Sequence, residues 1–334
     1  MNKRIIIDKP GGIDTLRLVE QPLPVPKADE VRVRVLASGV AFGDILLRKG
    51  GVPGASYPVT PGYDLVGDVE AVGPAVTSFR VGDRVAGMPL TGGYTTHICL
   101  PVREIVPVPA HLAPADVVSV LLNYTTALRL LTQAATLKAG NTVLIHGAAG
   151  GVGTAVLQVG RLLGLTVYGT VSTGKMALVR QEGGIPIDYT QTDFVAEIRR
   201  LTGDTGVDAV LDPIGGANLS RSYQALNGRG TLVLFGISSS VSGSGNSTLK
   251  IMQTMLRFLG LKLRLNARRV VTSFLTATSK GDEVYSAMAT MIRYLEEGKI
   301  KPIIAKTFPL SQAGQAQAML EEQKPEGKVV LLPQ

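Results

Sequence analysis

The chain is predicted to be an α/β protein, a doubly wound parallel sheet accompanied by a small strand-rich barrel or sandwich. Three observations carry that prediction. From Thr142 onward strand-like apolar runs alternate with helical ones; before Pro114 short apolar runs are separated by Gly, Pro and Asp turns; and a glycine-rich turn, Gly147 to Gly153, joins the first strand of the alternating series to its helix.

Taken in order, residues 31–36 (Val-Arg-Val-Arg-Val-Leu) alternate at period two, the mark of a half-buried strand. Shorter strands are expected around 66–72, 83–86 and 95–100. After Pro114 apolar residues recur at helical spacing over 115–137. Strand 142–146 then leads to helix 151–163, strand 166–170 to helix 175–182, strand 185–188 to helix 194–201, and strand 207–211 to helix 218–226. Strand 230–235, helix 248–258 and strand 261–265 complete the series, with a Ser/Gly loop over 238–247. Such alternation implies right-handed crossovers, and six strands in about 125 residues is the size of a dinucleotide-binding domain. Beyond it lie a helix over 283–297 ended by Gly298, a second over 310–322, and a closing strand over 327–332. One strand and two helices make a poor domain of their own, so the tail is expected to return to the first domain.

Composition narrows the function. The 334 residues include one cysteine, three histidines and no tryptophan, with 34 Lys+Arg against 26 Asp+Glu. Cys99 alone closes no intrachain disulfide, which suits a reducing, cytoplasmic compartment. His97, His111, His146 and Cys99 show no metal-ligand spacing, so no metal site is expected. No run approaches the ~20 apolar residues of a membrane helix, and none resembles a signal-peptide core. The formal charge of +8 invites a nucleic-acid reading. However, the densest basic cluster (Arg257, Lys262, Arg264, Arg268, Arg269) holds a single aromatic residue, Phe258, too few to stack successive bases, and residues 262–265 alternate as a strand would.

The sharpest motif runs Val-Leu-Ile-His-Gly-Ala-Ala-Gly-Gly-Val-Gly from Val143 to Gly153. Glycine lets backbone approach a pyrophosphate, and the following helix offers free N–H groups with partial positive charge, which singles out Ala149, Gly150, Gly151 and Val152. A glycine turn alone has a purely structural reading; its place between a buried strand and a helix favours the dinucleotide. About 20 residues on, an acidic residue would hold a free ribose hydroxyl. Here stands Thr-Val-Ser-Thr-Gly-Lys, 170–175, and Ser172 with Lys175 suits a 2′-phosphate, hence NADPH rather than NADH. Ser172 and Thr173 serve equally to cap a helix. His146 ends a buried strand and reads as a packed, hydrogen-bonded histidine. Asp44 and Asp64 read as a polar cleft pair or as turn and salt-bridge residues.

These motifs, with Gly-Tyr-Asp-Leu-Val-Gly (62–67), Val-Gly-Asp-Arg-Val (81–85) and Gly-Val-Asp-Ala-Val-Leu-Asp-Pro-Ile-Gly-Gly (206–216), resemble the medium-chain dehydrogenase/reductase superfamily. Within it the match is to the zinc-independent quinone oxidoreductase branch. Leu-Asn-Tyr-Thr-Thr (122–126) and Ile-Asp-Tyr-Thr-Gln-Thr-Asp-Phe (187–194) are similar to the vesicle amine transport protein homologues. The resemblance implies a GroES-like β-barrel catalytic domain from residues 1–122 and 268–334, a Rossmann domain over 123–267, and NADPH in the cleft between them. It implies that Ser172, Lys175 and Tyr189 surround the 2′-phosphate and adenosine. Thr126 would lie near the nicotinamide, Phe235, Gly236 and Ile237 would meet its carboxamide, and Ile214 would belong to the cofactor site. Residues 262–265 would form a homodimer edge.

The departures are informative. Zinc-dependent members keep ligands in Gly-Val-Cys-His and Gly-His-Glu segments, where this chain has Gly39-Val-Ala-Phe-Gly-Asp44 and Gly62-Tyr-Asp64. Ala41, Leu46 and Val52 stand where quinone oxidoreductases often carry polar groups. Without a metal, hydride transfer to an electron-poor carbon rests on positioning and on a proton or hydrogen-bond donor. Candidates are Tyr63, Asn123 and Tyr124, each of which also reads as packing. The expected reaction is NADPH-dependent reduction of a small conjugated acceptor, a quinone or an α,β-unsaturated ketone. The alternatives are an enoyl-thioester reductase or a non-catalytic NADPH-binding protein.

Overall fold

The first two strands, β1 (Asn2–Ile7) and β2 (Leu16–Gln21), form an antiparallel hairpin that periodicity did not reveal. The computed structural model describes residues 1–52, 54–241, 247–264, 266–274, 281–322 and 325–333. The Val-Arg alternation becomes β3 (Glu30–Val40), with Val31, Val33 and Val35 buried. On its other face, Arg32 and Arg34 reach Glu70 at 3.0 Å and Asp68 at 2.9 Å. Helix α1 (Phe42–Arg48) follows, then β4 (Leu65–Val72), β5 (Arg84–Gly87), β6 (His97–Pro101) and β7 (Ile105–Pro107). Their apolar faces close a core of the three β3 valines with Leu65, Val69, Val85, Leu100 and Ile105.

Helix α2 (Pro114–Arg129) passes into a single π-helical turn, Leu130–Ala134, which ends the regular spacing short of 137. The alternating series is β8 (Thr142–His146), α3 (Gly151–Leu162), β9 (Thr166–Val171), α4 (Met176–Gln181), β10 (Ile185–Asp188), α5 (Phe194–Leu201), β11 (Val207–Asp212), α6 (Asn218–Gln224) and β12 (Leu226–Leu234). Helices α7 (Ser238–Val241) and α8 (Ser247–Lys262) precede β13 (Arg269–Thr272). All pairings in this sheet are parallel, in the order β10-β9-β8-β11-β12-β13. That is the doubly wound arrangement, its order reversing beside β8.

The strand expected over 261–265 is corrected. Residues 261 and 262 close α8, Leu265 lies outside the described residues, and the sixth strand is β13. Thr254 and Leu261 are buried and Phe258 half-buried, a helical spacing that seats α8 on the protein, and four alternating residues were too few to outweigh it.

The tail supplies α9 (Asp282–Glu296), β14 (Ile304–Pro309), α10 (Ala313–Glu321) and β15 (Lys328–Leu332). It brings two strands rather than one. β14 pairs parallel with β15, and β15 pairs antiparallel with β3, giving the order β14-β15-β3-β4-β5-β7, with β6 also on β3. The chain thus divides into one unit of Met1–Thr125 with Thr276–Gln334 and another of Thr126–Leu275. Arg48, fully buried, ties the ends of the first unit together: its guanidinium donates to Gln317 Oε1 (2.8 Å), Glu321 Oε2 (2.7 Å) and the Gly11 carbonyl (2.9 Å).

Candidate functional site

In the second unit, β8 ends at His146 and the chain turns at Gly147 with φ +69°, a conformation glycine adopts without strain. The Gly150 N–H closes the turn on the Gly147 carbonyl at 3.0 Å, and the Ala148 N–H donates to the Thr170 carbonyl at 3.1 Å. A Cβ on Gly153 would stand 2.3 Å from the Gly147 carbonyl oxygen, so the first turn of α3 packs directly on the loop before it. Gly150 caps α3, and Gly151 and Val152, at its positive end, are only half-buried. Backbone N–H groups at a helix start, beside glycines that keep side chains away, fit a phosphate anion.

Behind the cradle His146 is packed, as its place in the sequence suggests. Ser222 donates to Asp212 Oδ2 at 2.7 Å, so the Ser222 oxygen accepts from His146 Nε2 at 3.0 Å, while Nδ1 meets Thr170 Oγ1 at 3.0 Å. Burial lowers the histidine pKa and keeps it neutral. The other Asp212 oxygen accepts the N–H groups of Ile214 (2.7 Å) and Gly215 (2.9 Å). This shapes the turn that meets the end of β12. Phe235 N–H donates to the Asp212 carbonyl, and a Cβ on Gly236 would stand 2.6 Å from the Pro213 carbonyl. Ile214, Phe235, Gly236 and Ile237 are therefore neighbours.

At the ends of β9 and β10 a second group assembles. The Tyr189 N–H donates to the Val171 carbonyl (3.1 Å), the Lys175 N–H to the Ser172 carbonyl (2.9 Å), and the Tyr189 side chain is 55% exposed. Ser172 and Lys175, from the turn after β9, thus share one corner with Tyr189, from the turn after β10. Helix α4 begins only at Met176, after a 3₁₀ turn over Thr173–Lys175, and Ser172 makes no side-chain cap bond. The acidic residue missing from β9 arrives from its neighbour: Asp188 closes β10 opposite Val171. Thr126 stands apart in sequence, half-buried on α2.

In the first unit Tyr124 is buried and Asn123 nearly so, as packing residues are. Tyr63 is half-buried, its ring against Gly43, where a Cβ would meet the phenol oxygen at 2.5 Å. Burial, then the nearby Asp44 charge, pushes its pKa up to about 12, so the phenol keeps its proton at neutral pH. Asp44 and Asp64 are not a cleft pair: both are fully buried. Asp44 Oδ2 accepts the Ala41 N–H (2.8 Å) and the Tyr94 hydroxyl (3.1 Å), and Oδ1 accepts the Gly62 N–H (2.7 Å). Burial nevertheless raises its pKa to about 7. Asp64 faces Lys328 Nζ at 3.0 Å, in a salt bridge with both side chains buried. Sequence reading missed Lys328; a lysine inside the apolar run Lys-Val-Val-Leu-Leu was the available signal.

Comparison with known proteins gives these sites a setting. Residues 27–110 match the alcohol dehydrogenase GroES-like domain, and residues 184–331 match a family described as zinc-binding dehydrogenase. The synaptic vesicle membrane protein VAT-1 homolog of Rattus norvegicus is 33% identical over 97% of this chain and 82% of its own. A 2-haloacrylate reductase of a Burkholderia species is 34% identical over 98% of both. The structure of Escherichia coli quinone oxidoreductase complexed with NADPH superposes with a TM-score of 0.88 at 28% identity, covering 99% of this chain and 100% of that one. Among the described residues no three His, Cys, Asp or Glu side chains lie where they could hold one metal ion. No helix among the described residues is long and apolar enough to cross a membrane.

Proposed function

Because the chain belongs to the medium-chain dehydrogenase/reductase superfamily, an oxidoreductase superfamily, we propose that it is an NADPH-dependent reductase of a conjugated acceptor, a quinone or an α,β-unsaturated ketone. The observation that carries this reading is the pairing, in one unit, of a glycine cradle at the α3 N-terminus with the Ser172, Lys175 and Tyr189 corner. The first suits a pyrophosphate and the second a 2′-phosphate. The NADPH complex of the quinone oxidoreductase neighbour supports it. Bound NADPH supplies hydride. Ala149 to Val152 would hold the pyrophosphate, and Ile214 with Phe235 to Ile237 would bound the carboxamide end. The acceptor takes hydride at its electron-poor carbon and a proton at oxygen or the adjacent carbon. Tyr63 Oη, which holds its proton at neutral pH, is the proposed donor. The cytoplasm is the proposed compartment.

The test follows NADPH oxidation over quinones, enones, 2-haloacrylates and enoyl thioesters. Turnover confined to the first three supports the proposal, and saturation only with enoyl thioesters selects an enoyl reductase. Tight NADPH binding with no turnover selects a binding protein, a reading motivated by Ala41, Leu46 and Val52.

The proposed partner is a second copy of the chain. Among the described strands β13 lies at the edge of its sheet, and α8 beside it exposes Leu249, Met252, Leu256 and Leu259, with Leu263 just past its end, an apolar stripe at three- and four-residue spacing. Light scattering is expected to give a dimer that Leu256→Glu converts to a monomer; a monomeric parent refutes it.

A further inference from the structure

The corner that recognises the 2′-phosphate contains a carboxylate, and its placement decides what it does. A carboxylate open to the cofactor would accept a ribose hydroxyl and repel a phosphate. Asp188 stands opposite Val171, at the end of the strand beside the one that would carry that role, yet it is only 8% exposed and its oxygens are taken by the protein itself. Oδ2 accepts the Thr173 hydroxyl at 2.5 Å, and Oδ1 accepts the Thr190 N–H at 2.9 Å and the Thr190 hydroxyl at 2.6 Å. The Asp188 carbonyl accepts the Thr192 N–H (3.0 Å) and hydroxyl (2.9 Å).

These bonds join two turns that the sequence keeps apart. Thr173 belongs to the turn after β9, which carries Ser172 and Lys175; Thr190 and Thr192 belong to the turn after β10, which carries Tyr189. We propose that Asp188 is a positioning residue for 2′-phosphate recognition. It bolts the 172–175 turn to the 189–192 turn and directs its charge into the bolt, so that Ser172, Lys175 and Tyr189 form one preset platform. The proposal rests on the NADPH reading and adds a residue that simple charge logic would assign to NADH.

The side chain is suited to the task. The hydroxyls of Thr173 and Thr190 hold the carboxylate below its ordinary range, so it is ionised at neutral pH and its hydrogen bonds are charge-assisted. Thr173 and Thr190 are themselves exposed and lie 3.3 Å apart, hydroxyl to hydroxyl, so they roof the carboxylate from solvent.

The experiment measures binding of 2′,5′-ADP and 5′-AMP by calorimetry to the full chain, which requires no turnover. The parent protein is expected to prefer 2′,5′-ADP; equal affinity would refute the NADPH reading itself, before any variant is made. Given that preference, Asp188→Ala should weaken 2′,5′-ADP by about tenfold or more, the scale of losing hydrogen bonds to a charged group, and 5′-AMP by no more than about twofold. Asp188→Asn, which keeps the shape and one acceptor, should recover most of the loss. Thr173→Val, which removes one bond at constant size, should fall between. Tighter 2′,5′-ADP binding by Asp188→Ala would show that the carboxylate repels the phosphate and overturn the proposal. So would equal losses for both ligands, the mark of general loosening. Should Asp188→Ala not fold, Thr173→Val alone decides by the same ratio.

Discussion

The two units bury carboxylates for different ends. In the second, Asp212 and Asp188 are surrounded by neutral donors, N–H groups and hydroxyls supplied mostly by residues a few positions away, and each carboxylate shapes a turn beside the proposed cofactor site. In the first, Asp64 meets a lysine 264 positions away, and Asp44 sits close enough to Asp64 for like charge to add to the burial that raises its pKa. Local donors build a binding surface; distant partners close a chain on itself. Disturbing the first unit's carboxylates should therefore register in stability, and disturbing the second unit's corner in ligand discrimination.

The largest effect is expected at Lys328. Lys328→Met leaves Asp64 buried without its cation and should cost about 3–5 kcal/mol in denaturant unfolding, with much of it restored by adding Asp64→Asn. A loss below ~1 kcal/mol would erase the contrast. Next is Asp44. Its folded pKa of about 7 lies above the ordinary carboxylate value, so the native state holds a proton that the unfolded chain has released. Stability should therefore fall as pH rises from about 4 to 7 and level off above, a change on the order of 4 kcal/mol from this group. Asp44→Asn should flatten that slope; an unchanged pH profile would contradict it.

In the second unit, Lys175→Ala should raise the dissociation constant for NADPH by about tenfold or more, with NADH nearly unchanged and unfolding shifted by less than ~0.5 kcal/mol. Equal losses for both cofactors would break the phosphate assignment. Tyr63→Phe removes the proposed donor while keeping the ring on Gly43: kcat should drop by about tenfold to a hundredfold with cofactor affinity intact. Full activity would return Tyr63 to a packing role.

Where a feature depended on near neighbours, it was legible. The β8 turn and α3 follow from Gly147, Gly150 and Gly153 set between a buried strand and an apolar helix face, and His146 reads as packed because it ends that strand. Where the deciding partner came from elsewhere, reading along the chain failed. The four residues after Leu261 alternate like a strand, but the buried side of α8 overruled them. β14 is short and half-exposed, and it forms because β15 lies beside it.

The sequence by itself determined the two-part α/β architecture, the glycine cradle and the absence of metal-ligand spacing, because periodicity, turn residues and ligand spacing are local properties of a chain. Only the tertiary structure decided what the charged residues do. Asp188 reads as an acidic strand end until Thr173 and Thr190 are seen to take its oxygens, and Asp64 as a cleft carboxylate until Lys328 is found against it. A carboxylate's role depends on which donors surround it and how much water remains, and packing sets both.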